Sequence, residues 1–226
     1  MFLWVIFPYM CLCLMIVGSI FRFVYRPKGW GSKSSEILEK RLLRPGSLMF
    51  HFGMLAVIGG HVMGLVIPIS VYQFFHISTE FYHHVLADTI GGLAGVVTFV
   101  GCSLLLIRRI VNKRVRHNST PSDFICLGLL WIVIGLGVMQ TVGYNNVVGP
   151  YEYRTTVGPW IRDIVLLHPN PNLMHTVPVL LQVHIVASFI LLASIPFTRL
   201  VHVWSAPVGY VARPPIQYRK RYSVHE

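Results

Sequence analysis

The sequence predicts an all-α integral membrane protein with five transmembrane helices, its N-terminus outside and its C-terminus inside. Of the 226 residues, 54% are hydrophobic and 12% are charged, about half the charged share of a soluble domain. Five runs of 19 to 35 residues contain no Asp, Glu, Lys or Arg: 2–21, 45–79, 89–107, 124–151 and 164–198. Since about 20 helical residues cross a bilayer, each run is long enough to span it. The segments between the runs are too short for a large aqueous domain.

The positions of the basic residues predict the orientation. Seventeen of the nineteen Lys and Arg residues lie in the segments 22–46, 108–122 and 199–221, which are alternate connections between the hydrophobic runs. Basic connections remain on the cytoplasmic side of a membrane. The net charge of +11 is therefore explained by topology, and we expect no nucleic-acid partner.

The five helices are expected at about 2–24, 47–71, 83–107, 122–143 and 176–203, followed by a cytoplasmic tail at 204–226. No basic segment precedes the first helix, so we expect a retained anchor and not a cleaved signal peptide. Pro121-Ser122-Asp123 is a helix-start signal, with Ser122 or Thr120 as the N-cap. The proline-rich loop before the fifth helix is expected to form an interfacial helix at 156–167. The whole chain, 1–226, is expected to be one domain.

Four of the eleven histidines lie within, or at the inner end of, two predicted helices. His51 and His61 are on the second helix, and His184 and His202 are on the fifth. Ionisable groups are costly in hydrocarbon, so each histidine is a candidate functional residue. An interhelical hydrogen bond explains a single one equally well, but four on two helices predict a shared site.

The spacing of these histidines predicts two pairs. His184 and His202 are 18 residues apart, about five helical turns, and therefore share one face. His51 and His61 share one side of the antiparallel second helix, so His51 is expected opposite His202 and His61 opposite His184. The helical rise differs, about 15 Å against about 27 Å at 1.5 Å per residue. A kink at Pro196 is expected to absorb part of that difference.

Two facing imidazoles in an apolar bundle are typical of a b-type haem, with one axial ligand from each helix. Zinc is less favoured, because no nearby Cys or carboxylate completes a tetrahedral site. Glycines on the second helix would let a flat macrocycle approach the backbone, and close helix packing explains them as well. They are Gly53, Gly59, Gly60 and Gly64.

Four stretches resemble the gamma subunit of respiratory nitrate reductase, a dihaem cytochrome b that anchors that enzyme to the membrane. They are SLMFHFG at 47–53, GGHVMG at 59–64, YRTTVGPW at 153–160 and PFTRLVHVWSAP at 196–207. The last is highly specific, the third is similar to Gram-positive members, and the resemblance covers essentially the whole chain.

This resemblance implies a quinol-oxidising subunit with two b haems in the cell membrane. Menaquinol or ubiquinol would be oxidised near the outer haem. Electrons would pass through the inner haem to an iron–sulfur beta subunit and then to a molybdenum-containing alpha subunit, which reduces nitrate in respiration. Protons would be released outside while electrons cross inward, which separates charge.

The resemblance also implies residue roles. His61 and His184 would ligate the outer haem iron, and His51 and His202 the inner one, in agreement with the pairing by depth. Arg199, Arg108 and Arg109 are candidate partners of inner-haem propionates, with ordinary flanking charge as the alternative.

The expected quinol site lies near the outer haem. Family members commonly have a lysine before the third helix, where this chain has Tyr82-His83-His84. His83, His84 or Asp88 could accept quinol protons, and Gly60 would leave room for the ring. For Asp88, a hydrogen-bonded residue at the helix start is an equal alternative.

Two other classes of function stay open at this point. The first is the dihaem anchor of another quinone-linked complex, such as a heterodisulfide-reductase-like or formate dehydrogenase complex. The second is a transporter in which intramembrane histidines relay metal ions or protons. Such a function does not explain why the four histidines form pairs at two depths in the membrane.

Overall fold

The computed structural model describes residues 1–26 and 38–205, and these residues form helices without strands. Five helices are long and apolar enough to cross a membrane, and we number them α1 to α5. They are α1 (Phe2–Tyr25), α2 (Leu43–Val66), α3 (Thr79–Val111), α4 (Pro121–Val147) and α5 (Val179–Phe197). The predicted helical fold with five spans is confirmed. Most of the predicted tail, from residue 206 onward, lies outside the described residues.

The start of α4 agrees with the sequence signal. Thr120 and Asp123 form a capping box, in which the Asp123 carboxylate accepts the Thr120 backbone N–H at 2.9 Å. This pairing satisfies N–H groups that the first helical turn leaves without partners. Thr120, and not Ser122, is therefore the N-cap.

The end of α2 and the start of α3 differ from the prediction. Ile67 is extended and Pro68 begins a separate short helix, Ile69–Phe74. Proline restricts the residue before it to extended backbone, so the predicted continuation of α2 to residue 71 is wrong. The third span begins four residues earlier than predicted, because the Ser78 hydroxyl caps it by accepting the Phe81 N–H at 3.1 Å.

The fifth helix does not continue to residue 203, and that prediction is wrong. Its α-helical part is Val179–Ser194, followed by a 3-10 turn at Ile195–Phe197 and by Thr198 in an extended conformation. A second 3-10 segment, Arg199–Ser205, carries His202. Proline has no N–H and cannot continue the ladder, so Pro196 produces a break and not only a kink.

The five spans pack in the order α2, α3, α4, α5 and α1. The α2–α3 interface is the most extensive, α3 packs on α4, α4 on α5, and α5 on α1. The interfacial helix predicted at 156–167 is present as Val157–Val165 and packs on the C-terminal end of α2. Its fully buried Trp160 donates to the Trp4 carbonyl at 3.0 Å, which ties it to α1. The two histidine-bearing helices, α2 and α5, thus each pack chiefly on other spans and approach one another through their histidines.

Candidate functional site

The structure brings the four histidines together as two pairs. The ring centres of His51 and His202 are 6.4 Å apart, and those of His61 and His184 are 6.2 Å apart. We call them the His51 site and the His61 site, and we name the two ends of the bundle after them. The break after Ser194 explains how both pairs are level, because it lets His202 turn back toward His51 where a straight helix would carry it past.

All four imidazoles are held by the same hydrogen bond. Each Nδ1 lies within hydrogen-bonding distance of a backbone carbonyl oxygen, and the acceptors are Ser47 (2.7 Å), Val57 (2.8 Å), Val133 (3.1 Å) and Arg199 (2.5 Å) for His51, His61, His184 and His202 respectively. A neutral imidazole that donates from Nδ1 keeps its lone pair on Nε2. This arrangement orients a metal-ligating histidine and fixes which nitrogen binds the metal.

The separation of the rings would allow both imidazoles of a pair to bind one metal ion between them. Metal–nitrogen bonds of about 2 Å to each ring leave the ring centres roughly 6 Å apart. Within residues 1–26 and 38–205, no three His, Cys, Asp or Glu side chains form a group that could hold a metal ion. The donor set at each site is therefore two imidazoles, which suits a haem and not a four-coordinate zinc.

The glycines of α2 divide into two kinds. A Cβ built on Gly59 or Gly60 would meet no atom within 4 Å, so the backbone beside His61 borders open space. Gly53 instead packs against Thr98 of α3, and a Cβ on Gly64 would lie 2.5 Å from the Tyr153 hydroxyl. Gly59 and Gly60 therefore leave room for a flat group, while Gly53 and Gly64 permit close packing.

Gly137 of α4 is a site residue that the sequence analysis missed. A Cβ built there would lie 3.2 Å from Cε1 of His184. Its absence lets the His184 ring lie against α4, where Nδ1 reaches the Val133 carbonyl one turn away. Val133 and Gly137 are four residues apart and lie on one helix face. This spacing could indicate a contact with His184 only once α4 is known to pack on α5.

The arginines predicted as propionate partners are all bound to carboxylates. Arg199 donates from Nε and Nη2 to Asp123, whose side chain is 2% exposed, and Arg109 pairs with the same carboxylate at 3.0 Å. Arg108 is buried and donates to the Glu39 side chain at 2.7 Å. These contacts give the arginines a structural role at the His51 end. Asp123 was expected only to begin α4, and its ion pairs with two arginines were not predicted.

At the His61 end, the predicted quinol residues do not form one cluster. His83 is buried with its Nε2 2.9 Å from the Glu152 carboxylate, while His84 is exposed. Asp88 accepts instead from the side chain of Asn145 at 2.8 Å. Glu152, in the loop before the interfacial helix, is a site residue that the sequence analysis missed. Its only signal was its place directly before the Tyr153–Trp160 stretch.

A network of polar side chains surrounds Glu152. Arg154 is buried, donates from Nε and Nη2 to Glu152 at 2.8 Å, and places its guanidinium 3.8 Å from the Tyr82 ring centre. The hydroxyls of Tyr82 and Tyr153 are 3.0 Å apart, close to Gly64. The network joins α2, α3 and the loop before the interfacial helix.

Burial, hydrogen bonds and charges in this network shift two pKa values outside the spans. Burial alone would raise the pKa of Glu152, but the hydrogen bonds and charges of Arg154 and His83 outweigh it and hold that pKa below its ordinary range. Burial raises the pKa of the Tyr153 phenol, and its hydrogen bond with Tyr82 adds to the effect. Glu152 is therefore ionised and Tyr153 is neutral at physiological pH.

Comparison with known sequences bears on these two sites. Residues 1–221 match the sequence profile of a family described as nitrate reductase gamma subunit. The chain is 45% identical over 219 residues to the nitrate reductase gamma chain of Bacillus subtilis, which covers 97% of each protein.

More distant relatives also match over more than nine tenths of this chain. The chain is 34% identical to the respiratory nitrate reductase 2 gamma chain of Escherichia coli, over 94% of this chain and 93% of that protein. A similarity of 23% identity extends to a protein of Archaeoglobus profundus named Hdr-like menaquinol oxidoreductase cytochrome b-like subunit, over 92% of this chain and 61% of that one. The resemblance predicted from four short stretches is confirmed over nearly the full length.

Proposed function

This chain belongs to the nitrate reductase gamma subunit family, and we propose that it is the dihaem, quinol-oxidising subunit of its complex. As a member of that family with five candidate spans, it is a multi-pass membrane subunit of a multi-subunit nitrate reductase. The finer proposal concerns its cofactors, its substrate and its orientation. Reduction of nitrate itself belongs to a partner subunit.

The observation that carries the proposal is the pair of matched histidine sites. The ring centres are 6.4 Å apart at the His51 site and 6.2 Å apart at the His61 site, and every Nδ1 is bound to a carbonyl. His51 and His202 would hold the inner haem iron, and His61 and His184 the outer one. Haem bound at these two levels supplies one-electron transfer across the membrane.

We propose that the His51 end faces the cytoplasm of the cell, with the N-terminus outside. The connections at this end carry most of the Lys and Arg residues, as cytoplasmic connections do. The iron–sulfur beta subunit and the molybdenum-containing alpha subunit would therefore bind at this end, where electrons leave. The Arg109–Asp123–Arg199 group carries two cations for one carboxylate and therefore has an excess positive charge. This charge would favour the binding of inner-haem propionates close to the two arginines.

The His61 end would bind quinol and take its protons. His83 with Glu152, and Asp88 with Asn145, offer proton-accepting groups there, His84 is accessible, and Gly60 borders open space. Oxidation of menaquinol or ubiquinol at this end would release two protons outside while two electrons move inward. Against a potential of about 100 mV this separation stores about 4.6 kcal/mol.

The test uses the purified complex. A reduced-minus-oxidised absorbance spectrum with redox titration is expected to show two low-spin b haems, both reduced by a menaquinol or ubiquinol analogue in stopped flow. Replacing His83 and His84 together by Ala, or Asp88 by Asn, should slow that reduction with both haem spectra unchanged. Absence of haem would overturn the haem assignment. Unaltered rates of haem reduction in both variants would overturn the assignment of the proton acceptors.

The same preparation separates the alternative functions. Co-purification of a molybdenum subunit with quinol-dependent nitrate reduction is expected for this family. A different terminal activity would favour the dihaem anchor of another quinone-linked complex, to which the similarity with the Hdr-like subunit points.

A further inference from the structure

The break in α5 after Ser194 leaves three consecutive backbone carbonyls, those of 196–198, outside the α-helical part and a few residues before His202. The α-helical part of α5 ends at Ser194, and Thr198 is extended before the 3-10 segment Arg199–Ser205 begins. Carbonyl groups released at membrane depth cost free energy unless a donor reaches them. The segment 196–198 therefore depends on donors from other helices.

Arg22 of α1 supplies two of these donors. Its Nη1 donates to the Pro196 carbonyl at 2.8 Å and to the Thr198 carbonyl at 2.7 Å. A planar guanidinium presents several N–H groups in a fixed arrangement and stays charged at any physiological pH. Arg22 thus joins a helix that carries none of the four site histidines to the segment that leads to His202.

Two further contacts fix the same segment. A Cβ built on Gly18, one turn before Arg22, would lie 2.8 Å from Cγ of Pro196, so only glycine lets α1 approach the proline this closely. From α4, the Ser122 hydroxyl donates to the Phe197 carbonyl at 3.0 Å. Each of the three carbonyls of 196–198 therefore receives a hydrogen bond from a side chain of another helix.

We propose that Arg22 is a positioning residue for the His202 ligand, acting through the carbonyls of Pro196 and Thr198. His202 donates from Nδ1 to the carbonyl of Arg199, the residue that follows Thr198. Displacement of Thr198 would therefore move the acceptor that orients the His202 ring. The inference rests on the proposed function, in which His202 ligates the inner haem.

The experiment compares three variants of the purified complex. Arg22→Met keeps the length of the side chain and removes its donors, and Arg22→Lys keeps the charge but not the planar fork. The matched control is Arg26→Met. Arg26 lies one turn after Arg22, directly after the last residue of α1, and its side chain is exposed. Each haem is followed by its low-spin spectrum and its redox titration, with the two signals assigned by His202→Ala and His184→Ala.

We expect Arg22→Met to reduce the inner low-spin signal about twofold or more, because two acceptors lose their donors, and to leave the outer signal in place. Arg22→Lys should give a smaller change, and Arg26→Met none. The proposal would be overturned if Arg22→Met left both low-spin haem signals unchanged. It would also be overturned if this variant reduced the inner and outer signals equally. If Arg22→Met does not assemble, Arg22→Lys decides by the same criterion. A wild-type complex without two titrating haems would overturn the proposed function instead.

Discussion

The His61 site and the His51 site have the same pair of side chains and the same Nδ1 hydrogen bonds, but different supports. His184 lies within the continuous part of α5, and its ring packs against the backbone at Gly137. His202 lies beyond the break, on a segment bound to α1 and α4 by side chains. The backbone that carries His184 is held by the hydrogen bonds of its own helix, whereas the backbone that leads to His202 depends on polar contacts from distant parts of the chain.

The surroundings of the two sites differ in the same way. At the His51 end the chain after Ser194 tightens into 3-10 turns, and Arg108, Arg109 and Arg199 are paired with carboxylates. At the His61 end α2, α3 and α4 each widen into π-helical segments, which occur frequently at functional sites. In the proposed function, the first end docks the partner that receives the electrons, and the second end binds quinol and takes its protons.

The largest expected effect is the loss of one haem at a time. His202→Ala should remove or alter the inner haem and leave the outer one, and His184→Ala should do the reverse, because each removes one axial ligand. Haem stoichiometry with redox titration measures both outcomes. His175→Ala, at an exposed histidine outside the two sites, is the control. Two normal low-spin haems in both site variants would contradict the assignment.

Removal of the carboxylate at the His51 end should have the next largest effect. Asp123→Asn leaves the Arg109 and Arg199 cations without their anion, and breaking a buried ion pair typically costs about 3–5 kcal/mol. We expect Asp123→Asn to unfold in detergent at a lower temperature than the wild type. On heating, this variant should lose the inner haem before the outer one. Glu80→Gln, an exposed acid on α3 at the opposite end, should leave both unchanged. Simultaneous loss of the two haems in Asp123→Asn would show that the two supports are not independent.

A smaller effect is expected at the His61 site. In Gly137→Ala the new methyl group lies 3.2 Å from Cε1 of His184, so the ring must shift, and overpacking of this kind costs about 1–3 kcal/mol. The redox potential of the outer haem should move while that of the inner haem stays constant. Gly143→Ala, on the same helix where a Cβ meets nothing within 4 Å, is the matched control. Equal potentials in wild type and Gly137→Ala would contradict the proposed contact.

The smallest expected effect is a pH dependence at the loop before the interfacial helix. Despite burial, Arg154 and His83 hold the pKa of Glu152 below its ordinary value of 4.5. Ionised Glu152 therefore stabilises the fold fully above about pH 4.5, and this contribution is lost as the pH falls through the lower folded pKa. The unfolding temperatures of wild type and Glu152→Gln should differ at neutral pH and converge on acidification. A difference that grows below pH 4.5 would contradict the sign of this shift.

Sequence reasoning was most successful where it relied on local patterns. The five hydrophobic runs predicted five helices because membrane thickness alone sets their length, and the capping residues predicted the start of α4. The four histidines could be paired because their spacing and the antiparallel order of α2 and α5 set their depths. Two of the errors, the ends of α2 and α5, occurred at prolines. At Pro68 no interruption was expected, and at Pro196 a kink was expected where a break was found.

The partners of the charged side chains could not be predicted in this way. Arg199 was interpreted from its place one turn before His202, but its carboxylate partner is 76 residues away in the chain. His83 and Glu152 are 69 residues apart, and so are Arg108 and Glu39. Any of several acids could have paired with each cation, and the packing of α3, α4 and the loops decides which one is within reach.

The sequence by itself determined the membrane-spanning helices, the expected orientation, the family and the four candidate ligands, because length, charge and periodicity are properties of a single segment. Only the tertiary structure decided how His202 is held, since three carbonyls freed near Pro196 accept hydrogen bonds from Arg22 and Ser122 on two other helices. The physical reason is that hydrophobic burial acts along each helix separately. Satisfying a broken backbone in a membrane instead requires particular donors from distant segments at hydrogen-bonding distance.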